Sequence, residues 1–187
     1  MLRLTLPTVG LLGLLCFTAQ AHDHNHDQHH THNPDAHQHG IGRLDLVIEN
    51  QQLILSLQMP AEDLLGFEHA PRTPEQQEQL TALQATLEQP QKLFALPDAA
   101  QCSLQSSELH SSLFAEPAQS GDDAQATRHA DINALYHFNC ARIERLKQID
   151  VSLFQQFSGS EKLLLQAITP RGQFGDELSA GHNRIHF

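Results

Sequence analysis

Eight of the fourteen histidines lie between residues 22 and 39, in the stretch HDHNHDQHHTHNPDAHQH. Neutral imidazole is the commonest metal ligand among protein side chains. Histidines two apart on an extended segment point to the same side, so a pair can close on one ion, and the aspartates add oxygen ligands. We call residues 22–39 the histidine tract. Its candidate ligands are His22, His24, His26, His29, His30, His32, His37 and His39.

Ala36 is the tract's only hydrophobic residue, and a segment that cannot bury apolar surface cannot fold alone. Residues 22–40 are therefore predicted to be a disordered metal-binding segment that collects ions at several exchanging sites. A solvated polar leader without metal is the alternative.

A second set of candidate ligands lies further along the chain. Glu68 and His69 are adjacent in GFEHAP, and His129 and Asp131 share a strand face with His137. Two of the latter three together with His69 would approach the three-ligand set of a zinc centre. The alternative is that the His-x-Asp pair forms a hydrogen-bonded surface patch and that Glu68 and His69 hold their loop together.

The sequence contains no catalytic template: H-E-x-x-H, G-x-S-x-G and phosphate-loop motifs are all missing. We therefore predict no catalytic residues and a protein that is not an enzyme. The alternative that stays open is a zinc-dependent hydrolase built from His69, His129 and Asp131.

The first 21 residues have the pattern of a secretory signal peptide. Arg3 precedes a short apolar run, and Ala19-Gln20-Ala21 resembles a cleavage site. The run is well short of the ~20 residues that a membrane-spanning helix needs. We predict export without stable membrane insertion. A lipid anchor on Cys16 is the alternative, but Leu15 stands before it where a small residue is expected.

Removal of this leader leaves two of the three cysteines, Cys102 and Cys140. In an oxidising compartment an even pair is most simply a disulfide. The alternatives are thiolate metal ligands or a redox couple, but the two cysteines are not in a C-x-x-C arrangement. The sequence favours a structural bridge.

The charge of the chain excludes one class of partner. Eleven basic and 22 acidic residues give a formal charge of −11, and the predicted leader contributes one arginine and no acid, which leaves −12. A surface of this sign repels nucleic acid and attracts cations. We predict no nucleic-acid binding.

The elements that position these residues follow from hydrophobic periodicity. Apolar residues alternate over 44–49 and 53–58, which predicts a β-hairpin. A helical turn at 61–65 and a helix at 74–89, with Thr73 as N-cap and Pro90 as its end, would come next. A second short helix is expected at 90–96.

Further strands are predicted from Cys102 onward. They cover residues 102–114, 129–140, 150–154, 162–169, 173–178 and 184–187, with a loop at 115–127 and a helical turn at 143–149. Strands outnumber helices, and the helices lie between strands two and three. Residues 41–187 are thus predicted to form one α+β domain with an antiparallel sheet.

Several segments together resemble a known family. They are the tract running into His39-Gly40, GFEHAP at 66–71, LFALP at 93–97, HAD at 129–131 followed by Tyr136 and Cys140, and TPRGQ at 169–173. This combination is similar to the ZrgA-type zinc uptake proteins, which are small periplasmic proteins of Gram-negative bacteria. The resemblance covers essentially the whole mature chain.

The resemblance implies Zn²⁺ as the metal. The choice of zinc depends on it, because imidazole alone does not select zinc over copper or nickel. It also implies a part in zinc acquisition under scarcity. Our hypothesis is a periplasmic accessory protein that captures Zn²⁺ for uptake. We hypothesise that the zinc passes to a membrane importer or to its periplasmic binding protein. A metal buffer or detoxification protein, which needs no partner, is the alternative.

Overall fold

The computed structural model describes residues 38–114 and 130–187. The predicted leader, the predicted loop at 115–127, His129 and the seven tract histidines from His22 to His37 lie outside the described residues. The expectations for them remain predictions.

The predicted hairpin is confirmed. Strands β1 (Ile41–Glu49) and β2 (Gln52–Pro60) pair antiparallel, with Arg43 opposite Gln58 and Leu46 opposite Leu55. Asn50 turns the chain with a positive φ of 55°, which asparagine tolerates better than most residues. The hairpin register fixes which residues meet at its open end.

In the described residues, seven further strands complete two sheets. They are β3 (Phe94–Ala95), β4 (Cys102–His110), β5 (Asp131–Cys140), β6 (Gln148–Val151), β7 (Lys162–Thr169), β8 (Gly172–Ser179) and β9 (Arg184–His186). The larger sheet has the order β4-β5-β2-β1-β7-β8, and the smaller one β3-β6-β9. All pairs are antiparallel except β1 with β7, which is parallel. The α+β class is confirmed, with a mixed rather than wholly antiparallel main sheet.

One face of the large sheet forms the core. Alternate side chains of β1, β2, β5 and β7 are buried there, and on β5 they are the predicted set from Ile132 to Cys140. Leu80, Leu83 and Leu87 of the long helix pack in the same core. Burial of one side chain in two is what period-2 patterning requires.

Residues 38–114 and 130–187 contain three α-helices: α1 (Ala61–Leu65), α2 (Pro74–Leu87) and α3 (Leu153–Gln156). The first two lie between β2 and β3, as predicted. Thr73 caps α2 by accepting a hydrogen bond from the Gln76 amide, and the Gln76 side chain accepts one from the Arg72 amide. No helix in the two described segments is long and apolar enough to span a membrane.

Two predicted elements are shorter than expected: β4 ends at His110, before a 3₁₀ turn at Ser112–Phe114, and the turn at Ile143–Arg145 ends before β6. Two other local predictions are wrong in the type of element. Residues 90–96 form a three-residue 3₁₀ turn (Pro90–Lys92) followed by β3, because Phe94 pairs with Val151 instead of continuing a helix. The strand predicted at 150–154 ends at Val151, and α3 begins at Leu153. Both segments are short and apolar, so periodicity alone does not separate helix from strand.

The capping role of Thr73 leads to a first prediction. Thr73→Ala should lower the free energy of unfolding by about 1 kcal/mol, because the Gln76 amide loses its acceptor. Urea denaturation would measure the change. Thr81→Ala is the matched control: the Thr81 hydroxyl donates within α2 to the Gln77 carbonyl, and alanine is the better helix former. Equal losses in the two variants would contradict the capping role.

Candidate metal site at the start of the domain

His39 lies between two glutamates where the described part of the chain begins. Its Nε2 is 3.3 Å from Glu68 Oε1, and its Nδ1 is 3.7 Å from Glu62 Oε2. One ligand atom from each residue lies within 4.8 Å of the other two. Within residues 38–114 and 130–187, no other group of three His, Cys, Asp or Glu residues meets this criterion. We call His39, Glu62 and Glu68 the entry site.

The β1–β2 hairpin brings the first two of these residues together. The residues of each hairpin pair sum to 101, as Arg43 and Gln58 do. Beyond Arg43 and Gln58, the chain leads back to His39 on one side of the open end of the hairpin and on to Glu62 on the other. Glu62 follows β2 directly, in the first turn of α1. The hairpin thus brings His39 and Glu62 to the same end of β1 and β2.

Glu68 reaches the entry site because the chain reverses after α1. Gly66 ends that helix in the left-handed conformation, with φ of 78°, and its amide donates to the Glu62 carbonyl. Such a reversal favours glycine, which has no Cβ to clash. Phe67 is buried beside it and anchors the loop. The Glu68 side chain is only 15% exposed, whereas those of His39 and Glu62 are about half exposed.

The surroundings of the entry site are acidic. Asp63 is buried next to it, and burial raises the pKa of its carboxyl group. A hydrogen bond from the Gly40 amide and the nearby His39 lower that pKa, while Glu62 and Glu161 raise it again. Several carboxylates close together repel one another, and a bound divalent cation relieves this repulsion.

The donor set suits zinc chemically. Zn²⁺ binds imidazole nitrogen and carboxylate oxygen at about 2.0–2.2 Å, usually with four ligands in tetrahedral geometry. One imidazole and two carboxylates would supply three ligands and leave one position open. Sites with an open position exchange or activate what they bind, whereas closed four-ligand sites are structural.

The other candidate ligands of the folded part lie elsewhere. The Nδ1 atom of His69 is 2.9 Å from the Ala70 carbonyl, and its ring stacks on Phe67 at 5.4 Å between centroids. Asp131 begins β5 and accepts a hydrogen bond from Gln58. His137, half-buried on the face opposite the core, is six residues further, about 20 Å along an extended strand. The structure does not bring His69, Asp131 and His137 into one group of ligand distance.

Sequence reasoning included His39 in the tract and Glu68 only as the neighbour of His69, and it missed Glu62. A signal for Glu62 was present in the hairpin, because a turn between the predicted strands at 44–49 and 53–58 brings the residues before the first strand close to those after the second. The predicted disulfide is confirmed: Cys102 and Cys140 are bonded across the first pair of β4 and β5.

The fold and this site define the class: an α+β protein with an acidic, histidine-containing surface site suited to a divalent cation. Residues 36–187 match the family described as ZrgA family zinc uptake protein, and the chain belongs to that family. The match covers the whole described structure, including the entry site. No curated protein matches the chain in sequence.

Proposed function

We propose that this protein captures Zn²⁺ outside the cytoplasm and supports its uptake, with the histidine tract as collector and the entry site as a fixed station. The observation that carries the proposal is the position of His39. It is the last histidine of the tract and lies against Glu62 and Glu68 of the folded domain. An ion collected by the tract would therefore meet fixed carboxylates where the tract ends.

The choice of metal follows from membership of a zinc uptake family. Ligand type alone would not decide it, since divalent affinity follows the Irving–Williams order with copper highest. An exposed site with one open position and few ligands releases metal readily, which suits transfer better than catalysis or permanent storage. We propose that the periplasmic chain transfers its zinc to a membrane importer or to that importer's binding protein.

Calorimetric zinc titration of the mature chain would test both parts of this proposal. Replacing the seven tract histidines from His22 to His37 by asparagine should lower the zinc stoichiometry and leave one fixed site. Adding Glu62→Gln and Glu68→Gln should then weaken that site by more than about 100-fold, since even indirect partners of a ligand are worth 10–100-fold. Glu78→Gln with Glu88→Gln, on α2 and just after it, matches the charge change and should have no effect.

Two results would contradict the proposal. Unchanged stoichiometry without the tract histidines would exclude the tract as collector. Unchanged affinity without the two glutamates would exclude the entry site. Delivery is separated from buffering by a pull-down from periplasm under zinc limitation, because only delivery requires a specific contact with the importer or its binding protein.

A further inference from the structure

Asp63 is a carboxylate buried at the edge of the entry site. The residue is only 6% exposed, and carboxylates are almost never this buried unless they are paired. Its Oδ1 accepts a hydrogen bond of 2.8 Å from the Gly40 amide, 23 residues away. Its Oδ2 is buried and has no hydrogen-bond partner among the described residues. Burying a carboxylate in this way costs stability. The hydrogen bond to the Gly40 amide gives a reason for Asp63 to be buried there.

Gly40 is held from its other side as well. Its carbonyl accepts hydrogen bonds from the amides of Glu161, at 2.9 Å, and Lys162, at 2.8 Å. Its φ of +80° is one that other residues adopt only with strain, and a Cβ there would lie 3.1 Å from the Glu161 side chain. Three hydrogen bonds thus fix the residue that directly follows His39.

The same carboxylate connects two parts of the entry site. Asp63 follows Glu62 in α1, while Gly40 follows His39 in the turn before β1. The bond between Asp63 and Gly40 therefore ties the segment of the imidazole ligand to the helix of a carboxylate ligand. Gly159 packs so closely on the Asp63 backbone that a Cβ would lie 2.5 Å from its carbonyl oxygen. Asp63 itself is thus held firmly.

We infer that Asp63 is a positioning residue of the zinc site, which through Gly40 holds His39 against Glu62 and Glu68. This inference rests on the proposed function, because it presumes that the entry site binds zinc. Asp63 acts through the backbone and not as a ligand. Ligand atoms fixed in advance bind metal more tightly than atoms that must be ordered on binding.

Two substitutions separate the hydrogen bond from the charge. Asp63→Asn keeps an oxygen that can accept from Gly40, whereas Asp63→Ala removes it. In the mature chain without the seven tract histidines, Asp63→Asn should retain zinc affinity within about threefold, and Asp63→Ala should lose about 10–100-fold. The visible absorption of bound Co²⁺, which reports ligand geometry, should change only in Asp63→Ala.

Ser160→Ala is the control for a buried polar side chain nearby, since the Ser160 hydroxyl is buried without a partner in the described residues. It should leave both the affinity and the Co²⁺ spectrum unchanged. Unchanged zinc affinity in folded Asp63→Ala would overturn the inference. So would equal losses in the alanine and asparagine variants, because the charge and not the bond would then matter.

Gly40→Ala tests the same link if Asp63→Ala does not fold. It should weaken zinc binding by about 10-fold or more, because the turn that carries His39 must shift. Gly172→Ala is the matched control, since Gly172 also has positive φ, at 125°, but an added Cβ there would meet nothing within 4 Å. Equal zinc affinity in the two glycine variants would overturn the inference. Failure of the proposed function is distinguishable, because the parent chain would then show no site sensitive to Glu62 and Glu68.

Discussion

Replacement of both Cys102 and Cys140 by alanine will lower the free energy of unfolding by about 3–4 kcal/mol. The bridge closes a chain segment of 38 residues, and loop closure in the unfolded chain gives a stabilisation of this size. Its location adds a local reason. Among the described strands β4 is at the edge of the sheet, where it pairs with β5 alone, and it is largely exposed. The bridge therefore stabilises a strand with few core contacts.

Urea denaturation of the double variant and of the parent chain measures this loss. Alanine is the better replacement at position 140, because Cys140 is fully buried and a serine hydroxyl would need a partner there. The parent chain in reducing buffer is the matched control and should lose a similar amount. A loss below about 1 kcal/mol in both would show that the bridge is not needed for stability.

The second large effect is the alkaline instability caused by Tyr136. Its ring is fully buried, and its hydroxyl donates a 2.8 Å hydrogen bond to the Leu87 carbonyl at the end of α2. Burial raises the pKa of the Tyr136 phenol well above its ordinary value near 10. The folded state therefore keeps the neutral phenol where the unfolded state ionises. Stability is fully present below pH 10 and falls above it by about 1.4 kcal/mol per pH unit.

Absorbance near 295 nm measures this directly, since Tyr136 is the only tyrosine and the chain has no tryptophan. The phenolate signal should appear together with unfolding. Tyr136→Phe should remove this contribution to the pH dependence and lower the free energy of unfolding by about 1–3 kcal/mol at neutral pH, because the Leu87 carbonyl loses a donor. Reversible ionisation near pH 10 in folded protein would contradict the prediction.

Much of the fold could be predicted because its determinants are local in the chain. The alternation of apolar residues in 44–58 predicts the hairpin, and the alternation in 130–140 predicts the core face of β5. Thr73 and Pro90 lie close to the two ends of α2 and predict its bounds. Each depends on neighbours in sequence and on one repeating geometry. The pairing of Cys102 with Cys140 could also be predicted, because removal of the predicted leader would leave only these two cysteines in an oxidising compartment.

The residue type predicted which side chains could bind a metal, but not which of them lie together in the fold. The sequence shows the concentration of histidines in the tract, which includes His39. By contrast, Glu62 resembles any other surface glutamate. It becomes a candidate ligand because the hairpin register brings it to His39, and Glu68 because Gly66 turns the chain back. His69, Asp131 and His137 fit a zinc centre by type, yet they do not lie together.

The sequence by itself determined the local elements, the sign of the charge and the concentration of histidines in the tract. Tertiary structure alone decided that β7 pairs with β1 in parallel, and that residues 94–95 form a strand of the small sheet. It also decided that Asp63 is buried against Gly40. These depend on contacts between residues far apart in the chain. Hydrophobic periodicity shows which face of a strand or helix is buried. It carries no information about which element covers that face, because any partner of the right shape would do so equally well.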